Sequence, residues 1–441
     1  MDDSQDGEAE SHMTYRVMIL SDHAWRDVPA CAIIKVELEK LLPDSEILIV
    51  DIHLLGIITE RFHPHLVVVN HLHDPRRNKI FDSVKRRGGL IVVNEPEGRS
   101  NTWGSIKWAT EDYPHELCDL YLCWGTGIAE HMPEDVKYEI VGGPRWDFYY
   151  PPYNQLIQSK EILLARYGLD ATRPIVTVAS SFPQGKFAKS STDFLLRDWK
   201  NLKRDQVKGG ENPAEHAKSE LEAFNRFQSW LRTLRYEFPE YQLLIKPHPA
   251  ENVAMWTKFA DEIGASLMPM DYVFSLLALS DCHVARAECM TIPEAWIAGK
   301  PTVQCLLGNT GNEGPGMDAA NLVDFFPPVT DVTGFLGQIE TATSMISGTS
   351  QYQTEYLEKW LGPMPGSATR IAKSIQDLLD SKQPKTWKEP SYQDWVEIHG
   401  VLVQHSRDHA KPEADLIGQW SKHVRYEVTQ DWVGRARRVS A

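Results

Sequence analysis

Long apolar runs are missing from this 441-residue chain. No segment approaches the roughly 18 apolar residues that span a bilayer. The opening MDDSQDGEAESH is acidic and polar, so neither an anchor nor a signal peptide is expected. That points to a cytoplasmic protein. Cysteine is scarce: Cys31, Cys118, Cys123, Cys282, Cys289 and Cys305 fall at spacings that suit neither a zinc site nor a disulfide framework. They read as core thiols in a reducing compartment. Positive charge is in deficit, with 46 Lys and Arg against 61 Asp and Glu and a formal net charge of -15. Broad nucleic-acid binding, which needs a basic face to neutralise phosphates, is excluded. Only the final GRARRVSA concentrates cations. Low-complexity tracts are absent as well, and the 42% hydrophobic content supports a large core in two or three domains.

What is present is a repeated layout of short β-rich runs separated by helix-length polar segments. TYRVMIL (14–20), EILIVDI (46–52), HLVVVN (65–70), GGLIVVNEPEG (88–98), LCDLYLCWG (117–125) and YEIVGGPRWD (138–147) form a first series. RPIVTVASSF (173–182), YQLLIKPHP (241–249), ASLMPM (265–270), DCHVARAE (281–288) and KPTVQC (300–305) form a second. Each series implies βα units and a parallel sheet, giving an α/β protein with two Rossmann-like doubly wound domains facing a central cleft. The expected division is a disordered 1–13, an N-terminal Rossmann-like domain over 14–155, a C-terminal Rossmann-like domain over 171–385, and C-terminal helices over 386–441 packing back on the body. YYPPYNQLIQ, with adjacent prolines, reads as the linker. The charged stretch from about 187 to 220 reads as a solvated insertion before a helix around 221–236.

Facing sheets place the carboxyl ends of their strands on one cleft, where ligands of such folds bind. Glu95, Glu97 and Gly98 close one strand of the first series, and His248 closes one of the second. Two prolines flank His248 and fix the backbone on both sides of its imidazole. Lys246 and Glu251 put ionisable groups beside it. After DCHVARA comes ECMTIPEAWIAGKP, where Thr291 is placed to cap a helix whose first turn holds Pro293 and Glu294. A helix start of this kind offers backbone N–H groups to a phosphate.

Each feature has a plainer reading. Glu-Gly at a strand end is often a turn, Pro-His-Pro can be a rigid corner, and Thr291 can cap a helix without binding anything. His63, His65 and the HLHD stretch at 71–74 lack the spacing of a metal site and read as solvated loop histidines. Trp103, Trp124 and Trp146 are candidates for stacking on a sugar or base, though most tryptophans are packing residues. No Asp-x-Asp signature sits at a suitable strand end, so neither a metal nor another cofactor is expected.

Four segments, VGGPRWD (141–147), IKPHPAEN (245–252) with Trp256 following, LLALSDCHV (276–284) and CMTIPEAWIAGKP (289–301), resemble bacterial surface-carbohydrate biosynthesis proteins of the GT-B glycosyltransferase type. The His-Pro pair is similar to the motif of bacterial sialyltransferases and Kdo transferases, whose histidine contacts the phosphate of a CMP-sugar. Glu-Pro-Glu-Gly resembles their acidic-acidic-Gly motif, which supplies the general base. The same layout, including Gly-x-Pro-Arg-x-Asp, is also similar to CDP-glycerol glycerophosphotransferases of teichoic-acid synthesis. The resemblance implies a metal-independent inverting transferase that moves a Kdo-like or nonulosonic acid from a CMP-sugar to a glycan or lipid-linked glycan. His248 and the helix opening at Thr291 would hold the donor phosphate, with Lys246, Glu251, Glu294 and Arg145 in the donor site.

Glu97, which directly precedes Gly98, is the expected base ahead of Glu95. Pro96 interrupts the acidic motif, and Met290 replaces one hydroxyl of the family's Ser/Thr pair. A CDP-glycerol-type transferase and a nucleotide-sugar-binding protein without turnover are the alternatives. Arg435, Arg437 and Arg438 in the tail suit weak peripheral contact with an anionic membrane surface.

Overall fold

A computed structural model describes residues 14–24, 26–72, 74–95, 114–182, 213–248, 251–287, 289–307, 328–344, 350–384 and 426–440. The expected disordered start, the charged stretch up to residue 212, Glu97, Gly98, Trp103 and Glu288 lie outside the described residues. Among the described residues eleven strands form two parallel sheets, each strand lying within one of the apolar runs. The first holds β1 (Arg16–Ser21), β2 (Glu46–Asp51), β3 (Leu66–Val69), β4 (Leu90–Val93), β5 (Leu120–Cys123) and β6 (Tyr138–Ile140), in the order β2-β1-β3-β4-β5-β6. The second holds β7 (Ile175–Ala179), β8 (Gln242–Lys246), β9 (Ser266–Leu267), β10 (Cys282–Arg286) and β11 (Thr302–Cys305), in the order β11-β10-β7-β8-β9. β3, β4, β7 and β10 are buried at every residue, because helices cover both faces. That is why these runs are continuously apolar rather than alternating. Strand order reverses between β1 and β3 in one sheet and between β7 and β10 in the other, opening a crevice at each carboxyl edge.

The helices are α1 (Val28–Leu41), α2 (Leu55–Phe62), α3 (Pro75–Arg86), α4 (Thr126–Ala129), α5 (Lys160–Tyr167), α6 (Pro213–Glu237), α7 (Val253–Ile263), α8 (Val273–Leu279), α9 (Thr291–Ile297), α10 (Val332–Ser344), α11 (Gln351–Leu361), α12 (Ser367–Lys382) and α13 (Tyr426–Ser440). Local chemistry sets many of their ends. The Asp74 carboxylate accepts from the Arg76 N–H ahead of Pro75, and Asn252 accepts from the Ala254 N–H to start α7. Gly168 and Gly264 close α5 and α7 in the left-handed conformation that glycine adopts without strain.

The arrangement differs from two expectations about organisation. Residues 351–382 were assigned to the second domain, yet α12 packs on α1 through Ala368, Ile371 and Ile375, and α11 packs on α4. The reason is a cap: the Asp147 carboxylate of the Gly-x-Pro-Arg-x-Asp segment accepts from the N–H groups of Gly366, Ser367 and Ala368 at 2.8, 3.0 and 2.8 Å. Gly142 carries φ +78°, and a Cβ there would meet the Pro363 carbonyl at 2.2 Å, so only glycine lets the two segments close. The Pro151-Pro152 region is a packed element rather than a loose linker. Its 3-10 turn Tyr153–Leu156 buries Tyr153 and Leu156 in the first core.

The chain end is likewise engaged. Trp432, Val433 and Ala436 of α13 face the first core, and the Trp432 indole donates to the Tyr272 hydroxyl at 2.7 Å. Arg437 pairs with Glu39 at 3.0 and 2.7 Å, while Arg435 donates to the Leu156 carbonyl and stacks on Trp432. Two of the three tail arginines therefore answer partners on the protein itself. Phe148, Tyr272, Phe274 and Trp432 form one aromatic cluster, so elements of both halves and the chain end share a core. Among the described residues no helix is long and apolar enough to cross a membrane.

Candidate functional site

The crevice at the carboxyl edge of the first sheet is a shallow pocket open to solvent, whose polar lining is supplied by Arg26, Asp27, Asn70, Asn94, Glu95, Trp124 and Arg145. Asp27 anchors its floor. It accepts from the N–H groups of Asp22 and His23 at 3.0 Å each, and from the Arg26 Nε at 2.6 Å, holding the turn after β1 and that guanidinium together. Glu95 follows β4 and is buried, with one carboxylate oxygen accepting from the Tyr121 hydroxyl at 2.9 Å. The Asn94 Oδ1 and the Trp124 Nε1 are buried without a hydrogen-bond partner.

Arg145 joins this cavity to the second domain. Its guanidinium donates to Glu294 of α9 at 2.6 Å and lies 5.0 Å over the Trp146 ring. Tyr149 donates to the other Glu294 oxygen at 2.7 Å. The Glu294 carboxylate, 2% exposed, is thus matched by a cation and a phenol. Burial and the neighbouring carboxylate push the Tyr149 hydroxyl well above the usual range, so it stays a donor. Structure therefore brings Arg145 and Glu294 together as an ion pair across the two halves, a pairing that sequence reading assigned to one donor site without foreseeing the contact.

The second-sheet side presents Lys246 and His248 at the end of β8. Lys246 is 6% exposed and its ammonium makes no hydrogen bond among the described residues, its charge balanced only at a distance by Asp271 and Glu294. Burial pulls its ammonium down to about 8. Asp271 is already matched by Tyr167 at 2.8 Å and Arg166 at 3.2 Å. His248 is half-buried, and its backbone N–H donates to Ser180 Oγ and to Glu251, each at 3.1 Å. Glu251 is a junction. It accepts from the Trp256 indole at 2.7 Å and from Ser180 and the Phe182 N–H, tying the ends of β7 and β8 together. Burial raises its carboxyl while these donors lower it. With its oxygens so occupied, Glu251 orients the His248 loop instead of presenting a free carboxylate.

Thr291 does not cap α9; Met290 takes that position, and no side chain caps the helix. The Thr291 hydroxyl instead meets the His283 Nε2 at 2.9 Å and the Cys289 Sγ at 3.2 Å. His283 is fully buried on β10, with its Nδ1 2.9 Å from Thr177 Oγ1, and burial pulls its pKa down to about 3. A neutral imidazole held at both nitrogens competes for the hydroxyl that a cap would need. This residue was missed in the sequence, where His283 sits inside an apolar strand run with no turn signal beside it.

Other expectations shift in similar ways. His65 is buried, accepting the Arg16 N–H on Nδ1 at 3.0 Å, so it is not a solvated loop histidine, while His71 is half-buried and burial draws its imidazole down to about 4. Trp124 and Trp146 are 1% and 0% exposed and meet edge to face at 5.3 Å, which makes them chiefly packing residues. Among the described residues no group of three or more His, Cys, Asp or Glu is placed to hold a metal ion.

No family model and no curated protein matches the chain. Solved structures do. The UDP-GlcNAc 2-epimerase from Neisseria meningitidis bound to UDP-GlcNAc is similar with a TM-score of 0.51 at 14% identity, over 84% of this chain and 100% of that one. The S. aureus MnaA-UDP co-structure reaches 0.50 at 10% identity, over 86% and 99%. A variant of the wall teichoic acid polymerase TagF reaches 0.50 at 12% identity, over 85% and 90%. At such identities the likeness speaks for architecture, and with the two facing parallel sheets it shows that this chain has the GT-B fold.

Proposed function

We propose that the protein is an inverting glycosyltransferase that moves an acidic sugar, Kdo-like or a nonulosonic acid, from a CMP-sugar to a surface-polysaccharide acceptor. The observation that carries this reading is the first-sheet cavity, which gathers a buried carboxylate, Glu95, with the guanidinium groups of Arg26 and Arg145. A sugar bearing its own carboxylate suits guanidinium partners, which bind such groups through paired donors. Similar structures include enzymes of sugar nucleotides, and the choice of cytidine rests on the resemblance of IKPHP and its companion motifs.

In this reading the acceptor hydroxyl oxygen attacks the anomeric carbon. The bond from that carbon to the CMP phosphate oxygen breaks, and its electron pair stays on the phosphate. Lys246 and His248 stabilise the departing charge, as donors fixed beforehand do most effectively in a site shielded from water. The acceptor's proton passes to Glu95, which Tyr121 holds in place. Glu95 takes this role because, among the described residues, it is the glutamate that lines the cavity; Glu97 lies outside them. No step calls for a metal. The acceptor is a glycan, free or lipid-linked, and the reaction belongs to the cytoplasmic side.

Incubation with CMP-Kdo, a CMP-nonulosonate, CDP-glycerol and UDP-GlcNAc, each with a glycan acceptor mixture, tests the reading by product analysis. Transfer of the acidic sugar with release of CMP is expected. Glu95→Gln should slow it by the roughly 10²–10⁴-fold typical of a lost general base, with Glu97→Gln the milder change. Release of CMP with glycerol phosphate from CDP-glycerol, epimerised UDP-GlcNAc, or nucleotide binding without turnover would each replace the proposal.

A further inference from the structure

Two apolar seams join the halves. Ile292 and Trp296 of the second half pack into the same core as Trp124 and Trp146, while Phe274 stacks on Phe148 at 5.0 Å. Apolar burial is non-directional, so such seams hold surfaces together without choosing one angle between them. The Glu294 ion pair lies between the seams. Ile292 and Trp296 flank Glu294 on α9, and Phe148 stands within the 3-10 turn Pro144–Tyr149 that carries Arg145 and Tyr149. That turn is anchored in the first half, because Asp147 caps α12 and Trp146 meets Trp124 edge to face. Both Glu294 oxygens take donors from it, Arg145 at 2.6 Å and Tyr149 at 2.7 Å. Two bonds to one anchored turn fix the rotation of a carboxylate as well as its position.

Buried ion pairs are seldom selected for stability, since apolar side chains of similar volume often replace them without loss; their best-attested use is to specify one arrangement. Glu294 is 2% exposed, and Arg145 keeps 15% of its side chain accessible in the wall of the first-sheet pocket. We propose that Glu294 is a positioning residue that sets the angle between the two halves. Held at both oxygens from the first half, it selects one arrangement among those the seams allow, and so stations the Arg145 guanidinium in the pocket wall. Glu294 thereby serves the site through Arg145 and touches no ligand. Removing its charge leaves the seams intact and frees the angle.

The test uses the full-length protein without nucleotide, so its outcome is independent of the proposed transfer. Nitroxide amino acids replace the exposed Lys79 of α3 and Lys258 of α7, one on each half, and pulsed electron resonance reads the distances between them. The parent should show one narrow peak. Arg145→Met combined with Glu294→Met keeps apolar bulk at the interface, so this double variant should melt no lower than the parent. It should nonetheless lose the single peak and give a broad or split distribution. Glu294→Gln, which keeps the shape and removes the charge, should broaden the peak too, and it carries the test if the double variant fails to fold. A pair that only stabilised the interface would lower the melting temperature of these variants and leave the peak unchanged. That result, or a parent with several distances of its own, would overturn the assignment.

Discussion

At the scale of single residues, Lys246 stands where stability alone would not select a lysine. Its ammonium is buried at a strand end with no hydrogen bond among the described residues, while the two nearby carboxylates already have closer partners. Burial holds its pKa near 8, below the ordinary lysine value, so between about pH 8 and the unfolded value of about 10.4 the unfolded chain binds more protons. Stability contributed at this position therefore rises with pH through that window and is lowest below it. Lys246→Met should raise the melting temperature at pH 7, flatten its rise above pH 8, and weaken CMP binding. A variant that melts lower than the parent at pH 7 would show that the ammonium has a stabilising partner. Lys246 and His248 were legible as site candidates because prolines and charge end an apolar run abruptly. The roles of Glu251 and Thr291 were not, because the donors that occupy them come from 69 and 71 residues away in one case and from a buried histidine in the other.

Among the elements, strands were the most legible. Each described strand lies inside a short apolar run, and β3, β4, β7 and β10, covered on both faces, demand continuous apolar side chains. Helices that cross between halves were illegible, since their placement depends on contacts remote in sequence. α12 returns to the first half because Asp147, 219 to 221 residues before its partners, caps it. Asp147→Ala removes one acceptor from three N–H groups. It should cost on the order of 3 kcal/mol in denaturant unfolding, more than an ordinary cap, because the groups left behind are buried. Asp147→Asn retains an acceptor and should recover part of that loss. If alanine proves neutral, α12 is held by its apolar face alone. At the chain end, the arginines that suggest a membrane surface lie on a helix, α13, whose Trp432 and Ala436 seal a core.

For the whole molecule, two sheets with reversed strand order bring their carboxyl edges to one cleft, and the Arg145–Glu294 pair links the two sides. In the proposed reaction, sugar recognition and proton removal belong to the first side, and the donor phosphate to the second. That division is tested most directly by titrating CMP calorimetrically into the parent protein, Glu95→Gln and His248→Ala. CMP should bind the parent and Glu95→Gln equally, and His248→Ala at least about tenfold more weakly, the loss expected for a hydrogen bond to a charged group. Unchanged CMP affinity in His248→Ala, or a parent that binds UDP in preference to CMP, would contradict it.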